Sequence, residues 1–189
     1  MFVLCMTIPA ISSGETAGLD NFISEIAQGS REALAELYGK THAAVYGFAL
    51  SILKNAQDAE DVLQDCYLKI WQGASGYRSQ GKPMAWIFTI TRRLSLMKLR
   101  DRDRTVPMTP EDWQTQFADQ PDLTREDRLT LEALLTVLSD EERQIVVLHS
   151  FTGLKHREIA TLLELPLPTV LSKYNRALKK LRTAMKEES

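Results

Sequence analysis

The chain has 189 residues, 44% of them hydrophobic and 25% charged, a composition typical of a globular protein with one or two small domains. Two cysteines do not suggest a disulfide framework and favour a reducing compartment, so we predict a cytoplasmic protein. No apolar run approaches the ~18 residues of a membrane span, and the apolar start MFVLCM lacks the basic region of a signal peptide.

The net charge of −2 conceals blocks of opposite sign. Residues 76–108 hold eight Lys and Arg against two Asp, and residues 153–189 hold eight basic against four acidic residues. Between them, residues 109–128 hold six acidic against two basic residues. Two separated basic blocks are typical of a protein that binds a polyanion. Solvated helix surfaces are the alternative interpretation of this pattern.

Helical periodicity predominates and strand alternation is nearly absent, so the predicted fold is all-α, with two small helical domains joined by a flexible linker. Residues 1–18 are predicted to be a mobile extension, and residues 19–104 the first domain. Within it, Asn55 is a predicted helix cap. The helix that follows carries apolar residues at helical spacing, which predicts one buried face: Ala59, Val62, Leu63, Cys66, Tyr67 and Ile70.

The opposite face of this helix carries a second set of residues at i, i+3, i+4 and i+7, which form one continuous strip: Asp61, Gln64, Asp65 and Leu68. Carboxylates beside a leucine suit a partner surface that is basic and partly apolar. An ordinary solvated helix face is the alternative.

Residues 72–82, QGASGYRSQGK, predict a loop, and Pro83 suits the first turn of the helix that follows. Proteins hold single-stranded DNA by stacking bases on aromatic rings and neutralising the backbone with basic groups. The loop and its helix offer both kinds of side chain: Tyr77, Arg78, Lys82, Trp86, Arg92 and Arg93. The position of Trp86 in the helix fits a core residue equally well.

Residues 105–126 contain three prolines and many acidic side chains, which predicts a linker before a second domain at 127–189. Ser139 and Glu142 have the spacing of a capping box at the start of a helix, and Gly153 is predicted to end that helix.

The end of the chain predicts a helix-turn-helix, with a short helix in KHREIATLLE, a turn at LPLP and a longer basic helix opened by Pro168. One face of the last helix carries a predicted core stripe: Val170, Tyr174, Ala177, Leu178, Leu181 and Met185. The other face presents candidate base readers and phosphate contacts: Leu171, Ser172, Lys173, Asn175, Arg176, Lys179, Lys180 and Arg182. A helical hairpin with a solvated basic face is the alternative.

Three segments in this order resemble bacterial RNA polymerase sigma factors of the sigma-70 family, in the short extracytoplasmic-function class. DAEDVLQDCYLKIW resembles the region that grips the core enzyme, and KPMAWIFTITRRLSLMKLR resembles the helix that melts and reads the −10 element. The segment from Leu138 to Arg182 resembles the domain that reads the −35 element.

The resemblance implies partners and roles. The strip Asp61, Gln64, Asp65 and Leu68 would bind the β′ and β subunits of core RNA polymerase. Promoter DNA would be read by the two basic segments, with the loop at 72–82 holding a flipped −10 base. An anti-sigma factor would mask these surfaces, and no membrane insertion is implied. No cofactor, metal site or catalytic residue is expected, because the chemistry would belong to the polymerase.

Three positions depart from the family pattern. Arg93 stands where Asn is usual, so the base preference at −10 does not carry over. Leu171 stands where a basic residue is common, and its side chain suits contact with a thymine methyl group or no base contact. Glu164 stands where Gly is frequent. A left-handed conformation there would cost about 1 kcal/mol, and a turn of a different build is the alternative.

Two other classes of function fit the sequence less well. An enzyme is disfavoured because the chain lacks the P-loop, dinucleotide-binding and nucleophile-elbow motifs, and because Gly153 separates His149 from His156. A stand-alone helix-turn-helix regulator, with a sensing or dimerisation domain at its N-terminus, would bind duplex DNA without polymerase. The basic and aromatic segment at 77–104 favours the sigma factor.

Overall fold

Seven α-helices make up most of the part of the chain that this computed structural model describes, residues 16–79, 81–102, 137–150 and 153–187. In chain order they are α1 Thr16–Ile26, α2 Arg31–Leu53, α3 Ala56–Gly73, α4 Pro83–Arg102, α5 Asp140–Ser150, α6 His156–Leu163 and α7 Leu167–Glu187. These ranges contain no strand, which confirms the all-α prediction. The predicted linker at 105–126 lies outside the described residues.

Local capping signals set several helix ends where the sequence predicted them. The Asn55 side chain accepts a hydrogen bond from the Asp58 amide at 2.8 Å at the start of α3. At the start of α5, the Ser139 amide donates to Glu142 Oε2 at 3.0 Å, and the Glu142 amide donates to Ser139 Oγ at 3.4 Å. Both caps satisfy backbone groups that the helix itself leaves without partners.

Two boundaries differ from the prediction. The first helix begins at Thr16, inside the segment expected to be a mobile extension, and it buries Leu19 and Ile23 completely. The loop predicted at 72–82 is shorter, because α3 continues to Gly73 and a 3-10 turn follows at Ala74–Gly76. Ala74 is 3% exposed, so this turn is part of the core rather than of a surface loop.

The helices form two groups, α1–α4 and α5–α7, and the two groups are packed against each other. Arg143 of α5 is 2% exposed and donates to the backbone oxygens of Ser51 at 3.1 Å and Leu138 at 2.9 Å. The Ser51 oxygen lies near the end of α2, where carbonyl groups lack partners within the helix. Arg143 therefore caps α2 from the other group of helices.

An ion pair lies beside this contact. Lys54, in the left-handed conformation at the end of α2, places Nζ 2.6 Å from Asp140 Oδ1. Burial raises the pKa of Asp140, but Lys54 and Arg143 together outweigh burial and hold this pKa below its ordinary value. The sequence predicted two domains and gave no indication of this contact between them.

None of the described helices is long and apolar enough to cross a lipid bilayer.

Candidate nucleic-acid interface

The turn between α6 and α7 is built around Glu164, which has φ 59° and ψ 38°. The Leu165 amide reaches back across the turn to the Ala160 oxygen at 3.0 Å and closes the end of α6. The turn is therefore not built differently to avoid the left-handed conformation, and Glu164 adopts it. The second helix, α7, begins at Leu167, with Pro168 in its first turn as predicted.

The outer face of α7 is available to a partner over most of its predicted length. Val170 and Ala177 are fully buried, which directs the opposite side of the helix to the surface. Residues on that side are exposed, as the sequence predicted: Leu171, Ser172, Asn175, Arg176, Lys179 and Arg182. An exposed face with amide, guanidinium and ammonium groups can bond base edges and phosphates in a major groove.

Two lysines of α7 are placed differently from this prediction, because acidic residues of α5 bind them. Lys173 Nζ lies 2.6 Å from Glu141 Oε2, and its side chain is only 23% exposed. Lys180 Nζ lies 2.7 Å from Glu142 Oε2, and the Glu142 side chain is 2% exposed. Both lysines face α5 and join it to α7. They are therefore not part of the exposed face that carries the other candidate DNA contacts.

An aromatic cluster supports α7 from behind. The rings of His149 and His156 lie 4.3 Å apart, and each meets the Tyr174 ring at 4.8 Å. His149 Nδ1 lies 3.0 Å from the Leu154 oxygen, whereas His156 Nε2 has no hydrogen-bond partner among the described residues. Burial, followed by the charge of His149, lowers the pKa of His156. The two histidines thus pack with Tyr174 behind α7.

The other basic segment is the one before and within α4. It starts with Tyr77, directly after the 3-10 turn. Tyr77 and Trp86 pack against each other with ring centroids 4.7 Å apart, and both are half-buried. The Tyr77 hydroxyl donates to Asp20 Oδ1 of α1 at 2.6 Å. The Trp86 ring thus packs against the core and keeps part of its surface exposed.

The basic side chains around this aromatic pair differ in exposure. Arg78, Lys82 and Arg93 are exposed, while Arg92 is half-buried. Lys82 Nζ lies 3.6 Å from Glu158 Oε1 of α6, so the loop before α4 touches the helix-turn-helix. Three of the four predicted basic residues are therefore exposed, and Arg92 is partly covered.

The strip on α3 lies on the surface as its spacing predicted. Asp61, Gln64 and Asp65 are exposed, and Leu68 is 53% exposed, which is high for a leucine. Lys98 of α4 lies 2.6 Å from Asp61 Oδ2 and 3.5 Å from Asp58 Oδ1. The strip is therefore a carboxylate-rich surface with an apolar residue at one end and a lysine at its edge.

Cys66, on the buried side of α3, is fully buried, and its Sγ lies 3.3 Å from Thr91 Oγ1. Burial raises the pKa of this thiol to about 11, which keeps it protonated and poorly nucleophilic. Among the described residues no three His, Cys, Asp or Glu side chains are grouped to hold a metal ion.

Besides Glu158, the partner of Lys82, the sequence did not indicate three residues that bind these surfaces. Asp20 binds Tyr77, Lys98 binds Asp61, and Glu141 binds Lys173. Each pair joins two segments that are distant in the chain, so no spacing within one segment could have indicated it.

Comparison with known protein families gives two matches. Residues 37–105 match sigma-70 region 2, and residues 128–181 match sigma-70 region 4. Among curated proteins, the chain is 28% identical over 179 residues to the ECF RNA polymerase sigma factor SigK of Mycobacterium ulcerans, covering 91% of this chain and 96% of that protein. SigK of Mycolicibacterium vanbaalenii is 28% identical over 177 residues, covering 90% of each chain.

Two solved structures share the fold. CnrH, in complex with the cytosolic domain of CnrY, superposes with a TM-score of 0.60 at 22% identity, over 90% of this chain and 98% of that chain. The sigma factor RpoE of Bartonella quintana, in complex with the anti-sigma factor NepR, gives a TM-score of 0.62 at 24% identity, over 80% and 96% of the two chains.

The two family regions occur in one chain in the order that the sequence predicted, and together they cover more than half of it. The curated relatives match along nearly their whole length and carry the same class name. The chain therefore belongs to the sigma-70 family of RNA polymerase sigma factors, in its extracytoplasmic-function class.

Proposed function

We propose that this sigma factor directs promoter-specific initiation through three surfaces: α7 for the −35 element, the loop before α4 with α4 itself for the −10 element, and the α3 strip for core RNA polymerase. The observation that carries the proposal is the presence, in one chain, of a helix-turn-helix with an exposed basic reader helix and of a separate basic segment with paired aromatic rings. A duplex-binding regulator needs the first of these and has no use for the second.

At the −35 element, the first half of α7 would contact bases. Asn175 and Arg176 can form paired hydrogen bonds with adenine and guanine, and Ser172 can bond either donor or acceptor groups. Leu171, 41% exposed, can pack on a thymine methyl group. Lys179 lies farther along the helix and would neutralise phosphate. Lys173 is assigned a supporting role, because Glu141 already binds its ammonium group.

At the −10 element, Arg78, Lys82, Arg92 and Arg93 would hold the backbone of the opened strand. The Tyr77 and Trp86 rings would form one wall of the site for an extruded base, since unstacking a base costs a few kcal/mol that capture must offset. Lys82 would leave Glu158 and bind a DNA phosphate. Breaking the Lys82–Glu158 ion pair costs little free energy, because the pair lies at the surface.

For core polymerase, Asp61, Gln64, Asp65 and Leu68 would meet a basic and partly apolar surface on the β′ and β subunits. Lys98 lies at the edge of this strip and pairs with Asp61. A basic side chain of the polymerase would bind Asp61 together with Lys98 or in its place. The chain would itself perform no catalysis, because phosphoryl transfer belongs to the polymerase.

Two further proposals follow from the relatives. The solved neighbours are described in complexes, RpoE with the anti-sigma factor NepR and CnrH with the cytosolic domain of CnrY. We propose that this chain too has an anti-sigma partner that covers its basic surfaces, and that it works in the cytoplasm, where core polymerase and the chromosome are found.

The experiment that tests the function is run-off transcription with purified core polymerase on sheared genomic DNA from the source, with and without this protein. Mapping of the 5′ ends should give new start sites that share two upstream elements at a constant spacing. A lack of new starts, combined with tight binding of the protein alone to duplex DNA, would instead support a stand-alone regulator.

The polymerase surface is tested by the double variant Asp61→Arg, Gln64→Ala, with Glu60→Arg as the matched control. Glu60 is exposed on α3 but lies outside the strip. The double variant should bind core polymerase about tenfold more weakly or worse, because it places like charges against a basic partner. Equal binding by the double variant and the control would refute the assignment of the strip.

The −35 surface is tested by Arg176→Ala. A base reader predicts a loss of initiation that is largest on promoters with the native −35 element and small on templates with an altered one. An equal loss on all templates would make Arg176 a phosphate contact.

A further inference from the structure

A hydrogen bond joins the first helix, α1, to Tyr77 in the loop before α4. The Tyr77 hydroxyl donates to Asp20 Oδ1 at 2.6 Å, although the two residues are 57 positions apart in the chain. The Tyr77 ring meets the Trp86 ring on its other side, at 4.7 Å between centroids. Tyr77 is thus held between α1 and α4 at the point where the loop leaves the 3-10 turn.

The carboxylate that holds Tyr77 sits on a fixed support. Leu19 and Ile23 of α1 are fully buried, and Ile26 is 2% exposed, so the helix is fastened to the core on both sides of Asp20. This helix ends before residue 37, where the match to sigma-70 region 2 begins. The contact therefore comes from outside the part of the chain to which the family comparison assigns a function.

The Tyr77 phenol keeps the proton that this bond requires. Burial raises the pKa of the Tyr77 phenol well above its usual range, and the hydrogen bond and charge of Asp20 raise it further. The phenol therefore stays protonated and keeps its donor. Charge-assisted hydrogen bonds of this kind are stronger than neutral ones, which suits a contact that fixes one side chain in one position.

We propose that Asp20 is a positioning residue of the −10 reader, which locks Tyr77 onto Trp86 and so presets the loop that carries Arg78 and Lys82. The inference rests on the proposed function and deepens it. A loop that is already ordered loses less conformational freedom when it captures an extruded base, so promoter opening is favoured without any contact between Asp20 and DNA.

Loss of the Asp20–Tyr77 bond should affect promoter opening and leave binding to core polymerase unchanged. Loss of the bond should slow promoter opening about fivefold to tenfold, the cost of ordering one more mobile side chain on binding. Affinity for core polymerase should not change, because the α3 strip lies elsewhere. A residue that merely stabilises the fold would weaken both activities together.

The test compares Asp20→Leu, Asp20→Asn and Tyr77→Phe with Glu25→Leu, an exposed carboxylate of α1, as the matched control. Asn keeps an acceptor oxygen for the phenol, and Phe keeps the ring while removing the donor. Each variant is assembled with core polymerase on a promoter found by the run-off mapping. Opening is followed by permanganate reactivity of −10 thymines, and core binding is measured in parallel.

Asp20→Leu and Tyr77→Phe should slow opening by similar factors, and the double variant should be no slower than either, because both remove one bond. Asp20→Asn should restore most of the rate, and Glu25→Leu should behave as wild type. A template with a premelted −10 bubble should reduce the defect.

Opening at the wild-type rate by Asp20→Leu would overturn the inference, as would an equal loss of core binding. A wild-type holoenzyme that opens no promoter would overturn the proposed function and this inference with it. A defect confined to Asp20→Leu and Tyr77→Phe leaves both standing.

Discussion

Glu164 occupies the one backbone position of the helix-turn-helix that most favours glycine. Its φ of 59° lies in the left-handed region, where a Cβ atom crowds the following carbonyl oxygen. The residue is exposed, so its side chain adds little packing to compensate. The turn is thus formed against a local preference, through the bonds that close α6 and the packing of α7.

Replacing Glu164 with glycine should therefore raise the free energy of unfolding by about 1 kcal/mol. Urea denaturation followed by circular dichroism measures the change. Glu164→Ala is the matched control, because alanine removes the carboxylate and keeps the Cβ atom, and it should give no such gain. Equal stabilisation by both substitutions would mean that the carboxylate, rather than the backbone, was unfavourable.

His156 should make stability depend on pH. Its pKa is lowered in the folded chain, so the unfolded chain binds more protons as pH falls below the ordinary histidine pKa of about 6.5. The contribution of neutral His156 to the free energy of unfolding is fully present above that pH. It is lost as pH falls from there toward the pKa of His156 in the folded chain. Thermal unfolding at pH 7.5 and 5.5 should show a fall that is smaller in His156→Phe, which keeps a ring beside Tyr174.

At the scale of the element, α7 has one face that is exposed to a partner and another that binds α5. Its outer face is exposed, while Lys173 and Lys180 bind Glu141 and Glu142 of α5. The Glu142 carboxylate is almost fully buried and also accepts from the Ser139 amide. The burial of Glu142 raises its pKa, yet its bonds to Lys180 and Ser139 outweigh burial and hold the pKa below its usual value.

Lys180→Met and Lys179→Met, neighbours in the chain, should therefore fail in different ways. Removing Lys180 leaves a buried carboxylate without its cation and should lower the free energy of unfolding by about 2 kcal/mol. Lys179→Met should leave stability unchanged and weaken −35 recognition on all sequences alike. Urea denaturation and transcription on the mapped promoter measure the two effects. Identical profiles for the two variants would contradict the division of α7 into two faces.

At the scale of the whole molecule, the contact of Arg143 with the end of α2 joins the two groups of helices. The guanidinium bonds Ser51 and Leu138 at once, and Lys54 pairs with Asp140 beside it. The buried apolar cluster also runs through both groups, from Phe48 and Phe88 to Ile145 and Ile159. In the described part of the chain the two groups thus share one core.

Arg143→Met should loosen this junction, because it leaves buried carbonyl oxygens without their donor. We expect the free energy of unfolding to fall by about 2–3 kcal/mol and the radius of gyration to rise in small-angle X-ray scattering. The exposed Arg157, on α6, supplies the matched control Arg157→Met, which should alter neither quantity. A loss of stability with an unchanged radius of gyration would show that Arg143 stabilises α5–α7 alone.

The sequence by itself determined the features that depend on neighbouring residues. Asn55 and the Ser139–Glu142 pair begin their helices because capping is a local bond. The α3 strip and the outer face of α7 are exposed because helical periodicity places polar residues opposite a buried stripe. The all-α fold and the family followed from the same local patterns, repeated in one order along the chain.

Only the tertiary structure decided which charged and polar groups meet across helices. Residues 57 apart form the Asp20–Tyr77 bond, and residues 92 apart form the bond from Arg143 to Ser51. Lys173 and Lys180 have the same helical spacing as DNA readers, yet α5 binds them. Periodicity within one helix fixes the direction in which a side chain points. The partner of that side chain depends on which other helix packs against this face. The packing of the helices is in turn decided by the burial of the whole core.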